Sequence, residues 1–204
     1  MGQTGMNTIL LQNVSWSTYQ ALLVEAGESA RFTYDRGCLE IEMSPLIKHE
    51  APKRLLEMLV ELFCEEQEIL FLPVGSTTFS HESQQQGAEP DSGYLLGERA
   101  EVTEDYTDRD AAQLYPDLVI EIDLTNPSVS KDGLYHALGV REIWRWRGNQ
   151  LSLWIRTATA FETTSVSKLL PGVTAQALTD FVLSGQKTTQ LVWRKEVRRW
   201  ARTP

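Results

Sequence analysis

Carboxylate side chains recur along one short aliphatic stretch of the chain, Pro116–Lys131 (PDLVIEIDLTNPSVSK). Asp117, Glu121 and Asp123 fall on one parity, whereas the other parity is aliphatic from Leu118 onward. Since side chains on a β-strand alternate between its two faces, this pattern predicts a central strand with one aliphatic and one acidic face. Burying an unpaired charge is costly, so these acids need compensation, for which a divalent cation is the simplest candidate.

The rise along a strand limits which of these acids share one ion. Glu121 and Asp123 are expected about 6.6 Å apart, which allows them to share a metal or its waters. Asp117 is expected about 13 Å from Glu121, too far to bind the same ion directly, and is interpreted as a strand-end residue. A solvated acidic sheet face is the alternative interpretation of the whole pattern.

Periodicity and turn residues predict the elements that position these acids. Helices are predicted from Ser15 or Ser17 to Ala26, from about Lys48 to Glu66, from near Lys131 to Gly139, from Pro171 to Leu183 and over Leu191–Arg202. Strands are predicted at Arg31–Tyr34, Cys38–Met43, Ile69–Leu72, Thr77–Phe79, Tyr94–Leu96, Glu142–Trp146, Leu151–Ile155 and Phe161–Val166, with a polar loop at His81–Ala88 and an acidic surface excursion at Gly97–Ala112. This order predicts a mixed α/β domain with one central sheet flanked by helices.

Length and composition predict a soluble protein with one core. The 204 residues suit one domain with short extensions, and the sequence shows neither a transmembrane segment nor a signal peptide. Cys38 and Cys64 lack metal-ligand spacing and are expected to remain reduced, so a cytoplasmic location is expected. The predicted division is an N-terminal helix with its extension (1–28), a central domain (29–186) and a C-terminal helix (187–204).

The net charge of −9 is unevenly distributed. The tail from Lys187 carries +5, which leaves −14 on the remainder and makes the total a poor guide to a nucleic-acid partner. Helical spacing in the tail places three apolar residues beside three basic ones: Trp193, Val197 and Trp200 beside Arg194, Arg198 and Arg202. This amphipathic helix is expected to pack on the domain or on a second subunit; a basic surface for a phosphate backbone is the alternative.

Three motifs together resemble the Uma-two family of restriction-endonuclease-like proteins. They are GAEPD at 87–91, PDLVIEID at 116–123 and YHALGVREIW at 135–144. The resemblance covers most of the chain from Arg31 to Ile155 and implies the PD-(D/E)XK nuclease fold, a restriction-endonuclease-like core. It does not by itself supply a substrate.

The resemblance also implies a site. Asp91 matches the first aspartate of the family pattern, and Glu121 matches its central acid; both are expected to bind the metal. The lysine usually found two residues after the central acid is replaced by Asp123, and the displaced family lysine matches Lys131. An acid on the long early helix completes some sites of this kind, which makes Glu50 a candidate auxiliary ligand; Asp123 is a second candidate from its spacing to Glu121.

Each implied role has a simpler alternative. Asp91 also fits an ordinary turn, and Lys131 also fits a solvated loop. His49 fits a metal ligand or general base, but the start of a helix favours a surface or capping role. Three tryptophans on the late hairpin are expected in a core or an interface rather than as base-stacking platforms: Trp144, Trp146 and Trp154.

The expected activity is that of a Mg²⁺- or Mn²⁺-dependent endonuclease acting on DNA. Carboxylates holding such an ion neutralise phosphate charge and activate water, while a lysine stabilises developing negative charge. A homodimer is expected, because two strands require two sites. The alternatives are a catalytically inactive nuclease-fold protein that binds nucleic acid or another partner, and a hydrolase with a metal-independent carboxylate pair.

Overall fold

The structure, a computed structural model, describes residues 8–26, 30–43, 47–101, 115–123 and 129–204. These residues form a mixed α/β fold with two sheets and five α-helices. The helices are Trp16–Ala26 (α1), Ile47–Glu66 (α2), Asp132–Leu138 (α3), Ala175–Gly185 (α4) and Gln190–Ala201 (α5). None of these helices is long and apolar enough to cross a membrane.

The first sheet is antiparallel and lies towards the N-terminal end of the chain. Its strands are Thr8–Gln12 (β1), Ala30–Asp35 (β2), Cys38–Met43 (β3), Phe79–His81 (β5) and Gln86–Ala88 (β6). Their order is β1-β3-β2-β6-β5. α1 covers one face, where Tyr19 stacks on Tyr34 with ring centroids 4.8 Å apart.

The second sheet contains the central strand. Its strands are Phe71–Pro73 (β4), Ser92–Leu96 (β7), Leu118–Ile122 (β8), Glu142–Arg147 (β9), Gln150–Arg156 (β10) and Phe161–Thr164 (β11). They are ordered β11-β10-β9-β8-β7-β4, and all neighbours are antiparallel except the parallel pair of β8 and β9. β8 therefore has a strand on each side, as its aliphatic sequence predicts.

The two faces of this second sheet have different roles. Leu118, Ile120 and Ile122 point into the main core, where residues of α2, α4 and α5 pack against them. Residues of the opposite parity, including Val119 and Glu121, face α3. α3 ends at Gly139, whose φ of 82° closes the helix in the left-handed region that glycine tolerates. The predicted separation of aliphatic and acidic faces is confirmed.

Most predicted elements are present, but three features of the first sheet were not predicted: its separation from the second sheet, β6 and β1. The expected single sheet is in fact two, and the polar segment His81–Ala88, predicted as a loop, contains β6. β6 consists of Gln-Gly-Ala and lacks the apolar alternation typical of a strand; its pairing with β2 and β5 comes from tertiary context. β1 was also not predicted, and the excursion at Gly97–Ala112 lies mostly outside the described residues.

The C-terminal helix packs on this domain. Trp193 and Val197 are fully buried in the main core, and Trp200 contacts Phe63 and Phe181. Arg198 pairs with Glu65 and Glu66 at 2.7 Å, and Arg202 pairs with Glu66 at the same distance. The prediction that this helix packs on the domain is therefore confirmed. α2 supplies the carboxylates that pair with Arg198 and Arg202.

Candidate functional site

The candidate site lies where the chain passes from the first sheet to the second. Asp91 is in the short connection between β6 and β7, and Ser92 pairs with Ile120 across the antiparallel ladder. Continuing this register by one residue places Asp91 opposite Glu121, and residues opposite each other in a ladder share a face. The two acids implied by the motifs are therefore cross-strand neighbours on the face covered by α3.

Glu121 is buried, with an exposed fraction of 5%, and is compensated by groups around α3. Lys131 Nζ lies 3.0 Å from Glu121 Oε2, and the hydroxyl of Tyr135 donates to Oε1. Burial is the main influence and raises the pKa of Glu121 to about 7, although the ammonium of Lys131 opposes the shift and the charge of Asp91 adds to it. Protonation of Glu121 thus falls close to neutral pH.

Asp91 is buried to a similar degree but is held ionised. Its Oδ1 accepts from Arg31 and lies 3.0 Å from His49 Nε2, while its Oδ2 accepts from the backbone N–H of Ile122 at 2.6 Å. Burial alone would raise the pKa of Asp91, but the His49 hydrogen bond and the charges of Lys131, His49 and Arg31 lower it to about 2. The two facing carboxylates therefore differ strongly in their affinity for a proton.

Lys131 occupies the N-cap position of α3, from where its side chain reaches inward. Its ammonium donates to Glu121 and, at 3.0 Å, to the backbone carbonyl of Glu89. Burial would lower the pKa of Lys131, but Glu121, Asp91 and Glu42 raise it. A cation at a helix N-terminus is unfavourable by itself, so these acids explain why it is tolerated.

Further acids surround this core and are incompletely compensated. Burial raises the pKa values of Glu42 on β3 and of Asp123 after β8, although Lys131 and neighbouring arginines oppose both shifts. Burial also raises the pKa of Glu89, next to Asp91. Burial therefore disfavours the charged forms of these acids, and an additional cation at the site would favour them.

The structure brings together four of the five sequence-predicted site residues. Asp91, Glu121 and Lys131 form the centre, and Asp123 lines a cavity beside Glu121 and Lys131. Glu50 is linked to the site through His49: its carboxylate accepts from His49 Nδ1 at 2.9 Å, and His49 Nε2 lies 3.0 Å from Asp91 Oδ1. Its geometry is that of a partner of His49.

Asp117 lies apart from the site, as its spacing predicts. It is fully buried, and its carboxylate accepts from the Leu96 N–H at 3.0 Å and from Arg99 at 2.7 Å. Arg141 lies 3.8 Å from the same carboxylate. These contacts compensate its charge at the opposite end of β8.

Several residues of the site were missed or misassigned from the sequence. The surface or capping role preferred for His49 is wrong, because the side chain is buried and contacts Asp91. Tyr135 and Arg31 were not considered; the spacing of Tyr135 four residues after Lys131 on a helix was an available signal. Trp144 and Trp146 lie in the main core as expected; Trp154 is partly buried, packs against the cluster around Val119 and Ile143, and also lines the cavity.

The carboxylate oxygens at this site suit a hard divalent cation of the Mg²⁺ type as ligands. Such an ion prefers oxygen ligands and keeps several waters, so one or two carboxylates suffice. Asp91 Oδ2 and Glu121 Oε2 each accept a single hydrogen bond among those described, which leaves acceptor capacity on both. Within the described residues, no group of three or more His, Cys, Asp or Glu side chains is placed to hold a metal ion.

A cavity of about 310 Å³ opens beside Glu121 and Asp123. It is lined by Glu121, Asp123, Val129, Ser130, Lys131, Arg145, Arg147, Ser152 and Trp154. Arg145 pairs with Asp132 at the start of α3 and lies over the ring of Trp154, with 5.3 Å between Cζ and the ring centroid. The cavity thus has an acidic end at Glu121 and a basic, aromatic end on β9 and β10.

Comparison with known proteins gives a family match and a structural match. The family model Uma2, described as "Putative restriction endonuclease", matches residues 16–185. The crystal structure of "a putative nuclease belonging to DUF820" from Anabaena variabilis ATCC 29413 is similar, with a TM-score of 0.58 and 15% identity over 83% of this chain and 99% of that chain. At that identity the likeness concerns the fold. No curated protein matches the sequence.

Proposed function

The chain belongs to the Uma2 family, whose model matches residues 16–185, and from this premise we propose that it is a metal-dependent endonuclease hydrolysing the phosphodiester bonds of DNA. The observation that carries the proposal is the buried pair of facing carboxylates of Asp91 and Glu121. The ammonium of Lys131, at the N-cap of α3, donates to Glu121. A structural ion pair does not require two buried carboxylates at one place, one with a lowered pKa and the other with a raised pKa.

We assign the metal to Asp91 and Glu121, with Asp123 as an auxiliary ligand. When bound, Mg²⁺ or Mn²⁺ neutralises charge on the scissile phosphate and makes a water nucleophilic at neutral pH. Glu50 is the less favourable auxiliary ligand, because its carboxylate is turned to His49.

The remaining side chains have distinct tasks in this proposal. Lys131 stabilises the negative charge that develops on the phosphate, which is worth most in a site with little water. Arg31 and His49 keep Asp91 ionised, and Tyr135 fixes the orientation of Glu121 through its hydroxyl. Arg31 and Tyr135 are therefore positioning residues, the first on β2 of the first sheet and the second on α3.

The substrate and the assembly follow from the same proposal. A restriction-type activity acts on duplex DNA, and cutting both strands requires two sites. A homodimer is therefore proposed for duplex cleavage, with sedimentation of the full chain as its check.

Supercoiled plasmid incubated with the full chain and Mn²⁺ or Mg²⁺ is expected to be converted to nicked and linear forms. The expected rate is far above that without metal, because the two carboxylates alone cannot neutralise the phosphate. Excess EDTA is expected to stop the reaction, and added Mn²⁺ to restore it. The measurement is the loss of the supercoiled band on a gel.

Two other outcomes would contradict this assignment. Cleavage that survives EDTA would support a hydrolase that uses the carboxylate pair without metal. Plasmid binding without cleavage at any metal concentration would support a nuclease fold that only binds nucleic acid.

Metal affinity is expected to rise steeply with pH up to neutrality. Burial raises the pKa of Glu121 to about 7 against the opposing charge of Lys131, so below pH 7 a proton occupies the carboxylate that the metal needs. Displacing one proton makes the apparent affinity for Mn²⁺ rise about tenfold per pH unit below pH 7 and level off above it. Asp91, with a pKa of about 2, adds nothing to this slope.

Calorimetric titration of the chain with Mn²⁺ between pH 5.5 and pH 8 measures this dependence. Below pH 7, the heat of Mn²⁺ binding is expected to depend on the ionisation enthalpy of the buffer, because binding releases one proton from Glu121. An affinity that stays constant over the range would mean that Glu121 is not a ligand.

A further inference from the structure

The cavity beside Glu121 and Lys131 extends well beyond the two proposed metal ligands. Glu121 on β8 pairs with Arg145 on β9, and Arg145 pairs with Ser152 on β10. Two residues further along the same face, Ile143 on β9 pairs with Trp154 on β10. Residues in one row share a face, so the proposed active site and the aromatic end of the cavity form one continuous surface.

Trp154 is held in a fixed orientation at the far end of this surface. Its Nε1 donates to Ser152 Oγ at 2.9 Å, and the guanidinium of Arg145 lies over its ring. Unlike Trp144 and Trp146, which are buried in the main core, Trp154 is only partly buried. The indole packs against the cluster around Val119 and Ile143 and carries the guanidinium on its ring. Both groups line the cavity, and a flat base can stack on an aromatic ring or on a guanidinium plane.

Cationic side chains line the same cavity as Trp154. They are Lys131, Arg145 and Arg147. Arg145 lies over the ring and also contacts Asp132, whereas Arg147 lies two residues further along β9, on the side of Arg145 away from Trp154. Cations beside an aromatic ring match the phosphates and the base of one nucleic-acid strand.

The size of the cavity restricts what reaches Trp154. About 310 Å³ is at the lower end for small-ligand sites and suits one flat ring system rather than a stacked base pair. A base inside a duplex is paired at its edge and covered on both faces, so it reaches such a cavity only after leaving the stack. A base in a single strand has no such cost.

We propose that this cavity is a nucleotide subsite that takes one unpaired base of the substrate strand, stacked against Trp154, with adjoining phosphates bound by Arg145 and Arg147. The substrate class is therefore a nucleic-acid strand that is single or locally unpaired beside the cleaved bond. This inference rests on the proposed nuclease function and narrows its substrate. One protomer is sufficient to cut such a strand.

The test measures binding separately from cleavage. Fluorescence anisotropy of a fluorescein-labelled short oligothymidine, and of the same strand in a duplex, is followed with the full chain in EDTA. The wild type is expected to bind the single strand at least about tenfold more tightly than the duplex. Trp154→Ala is expected to weaken single-strand binding about tenfold and to remove the preference, whereas Trp154→Phe retains both.

Two arginines at opposite ends of the late hairpin provide a matched control. Arg147 lines the cavity, whereas Arg156 lies at the other end of β10 and donates to the His136 carbonyl. Arg147→Ala is expected to reduce the salt dependence of oligothymidine binding by about one phosphate contact, and Arg156→Ala to leave it unchanged. Thermal unfolding of every variant excludes loss of the fold as the cause.

The outcomes separate this inference from the proposed function. Equal binding of oligothymidine by wild type and Trp154→Ala, or tighter binding of duplex by the wild type, overturns the subsite even if plasmid cleavage is intact. A Trp154-dependent preference for single strands without metal-dependent cleavage supports the subsite and overturns the nuclease assignment. No binding of either oligonucleotide by the wild type overturns the subsite.

Discussion

Replacing Glu121 by glutamine is expected to abolish metal-dependent cleavage, with a loss of about 10³-fold or more in rate. Glutamine has nearly the same shape but no charge, so it retains the fold of β8 while losing the anionic ligand. The same variant is expected to lose calorimetric Mn²⁺ binding. Supercoiled plasmid with Mn²⁺ measures the rate, and equal cleavage by the variant and the wild type would exclude Glu121 from the reaction.

The Glu121→Gln variant is also expected to be less stable. It removes the closest counter-charge of Lys131, which remains buried with Glu42 and Asp91 nearby. Breaking one half of a buried ion pair costs about 3 kcal/mol of unfolding free energy, which urea denaturation measures. Glu162→Gln is the matched control: Glu162 is an exposed acid on β11 of the same sheet, and both activity and stability should be unchanged.

Replacing Lys131 by methionine is expected to reduce plasmid cleavage about 10²- to 10³-fold while leaving a measurable Mn²⁺ site. The thioether fills similar space but cannot stabilise the charge developing on the phosphate. The variant also removes the ammonium that opposes the upward shift of the Glu121 pKa. Protonation of Glu121 then extends to higher pH, so the rise of Mn²⁺ affinity with pH moves above its wild-type position.

Charge and shape at Lys131 can be separated with a second variant. Lys131→Arg keeps a positive charge beside Glu121, so its Mn²⁺ profile should stay nearer that of the wild type than does Lys131→Met. Its cleavage should still fall, because a planar guanidinium does not reproduce the position of one compact ammonium. Wild-type cleavage by Lys131→Met would remove the lysine from the proposed mechanism.

The periodicity of β8 was sufficient to predict the most important part of the fold. Alternation alone separated the aliphatic face, which packs against three helices, from the acidic face of the site. It also predicted that Asp117 is too distant to join Glu121, and the structure places it with Arg99 instead. Short-range signals of this kind survive folding because strand geometry is the same in every context.

The environment of Asp91 could not be predicted in this way. Arg31 lies 60 residues earlier in the chain, and His49 comes from the first turn of a different element. No local pattern encodes which distant side chains meet a given carboxylate. The separate first sheet was missed for a related reason, since β6 has little strand propensity of its own and pairs only because β2 and β5 are present.

Asp91 lies at the junction of the two sheets, so the proposed site is complete only when both sheets have formed. Arg31 belongs to the first sheet, whereas Glu121 belongs to the second, so neither half of the chain holds a complete centre. Under the proposed function, a nascent chain that has made only its first hairpin and long helix is expected to lack metal-dependent cleavage, because Glu121 has not yet joined Asp91. Substitutions that loosen the packing between the two sheets are expected to reduce cleavage before they unfold the main core.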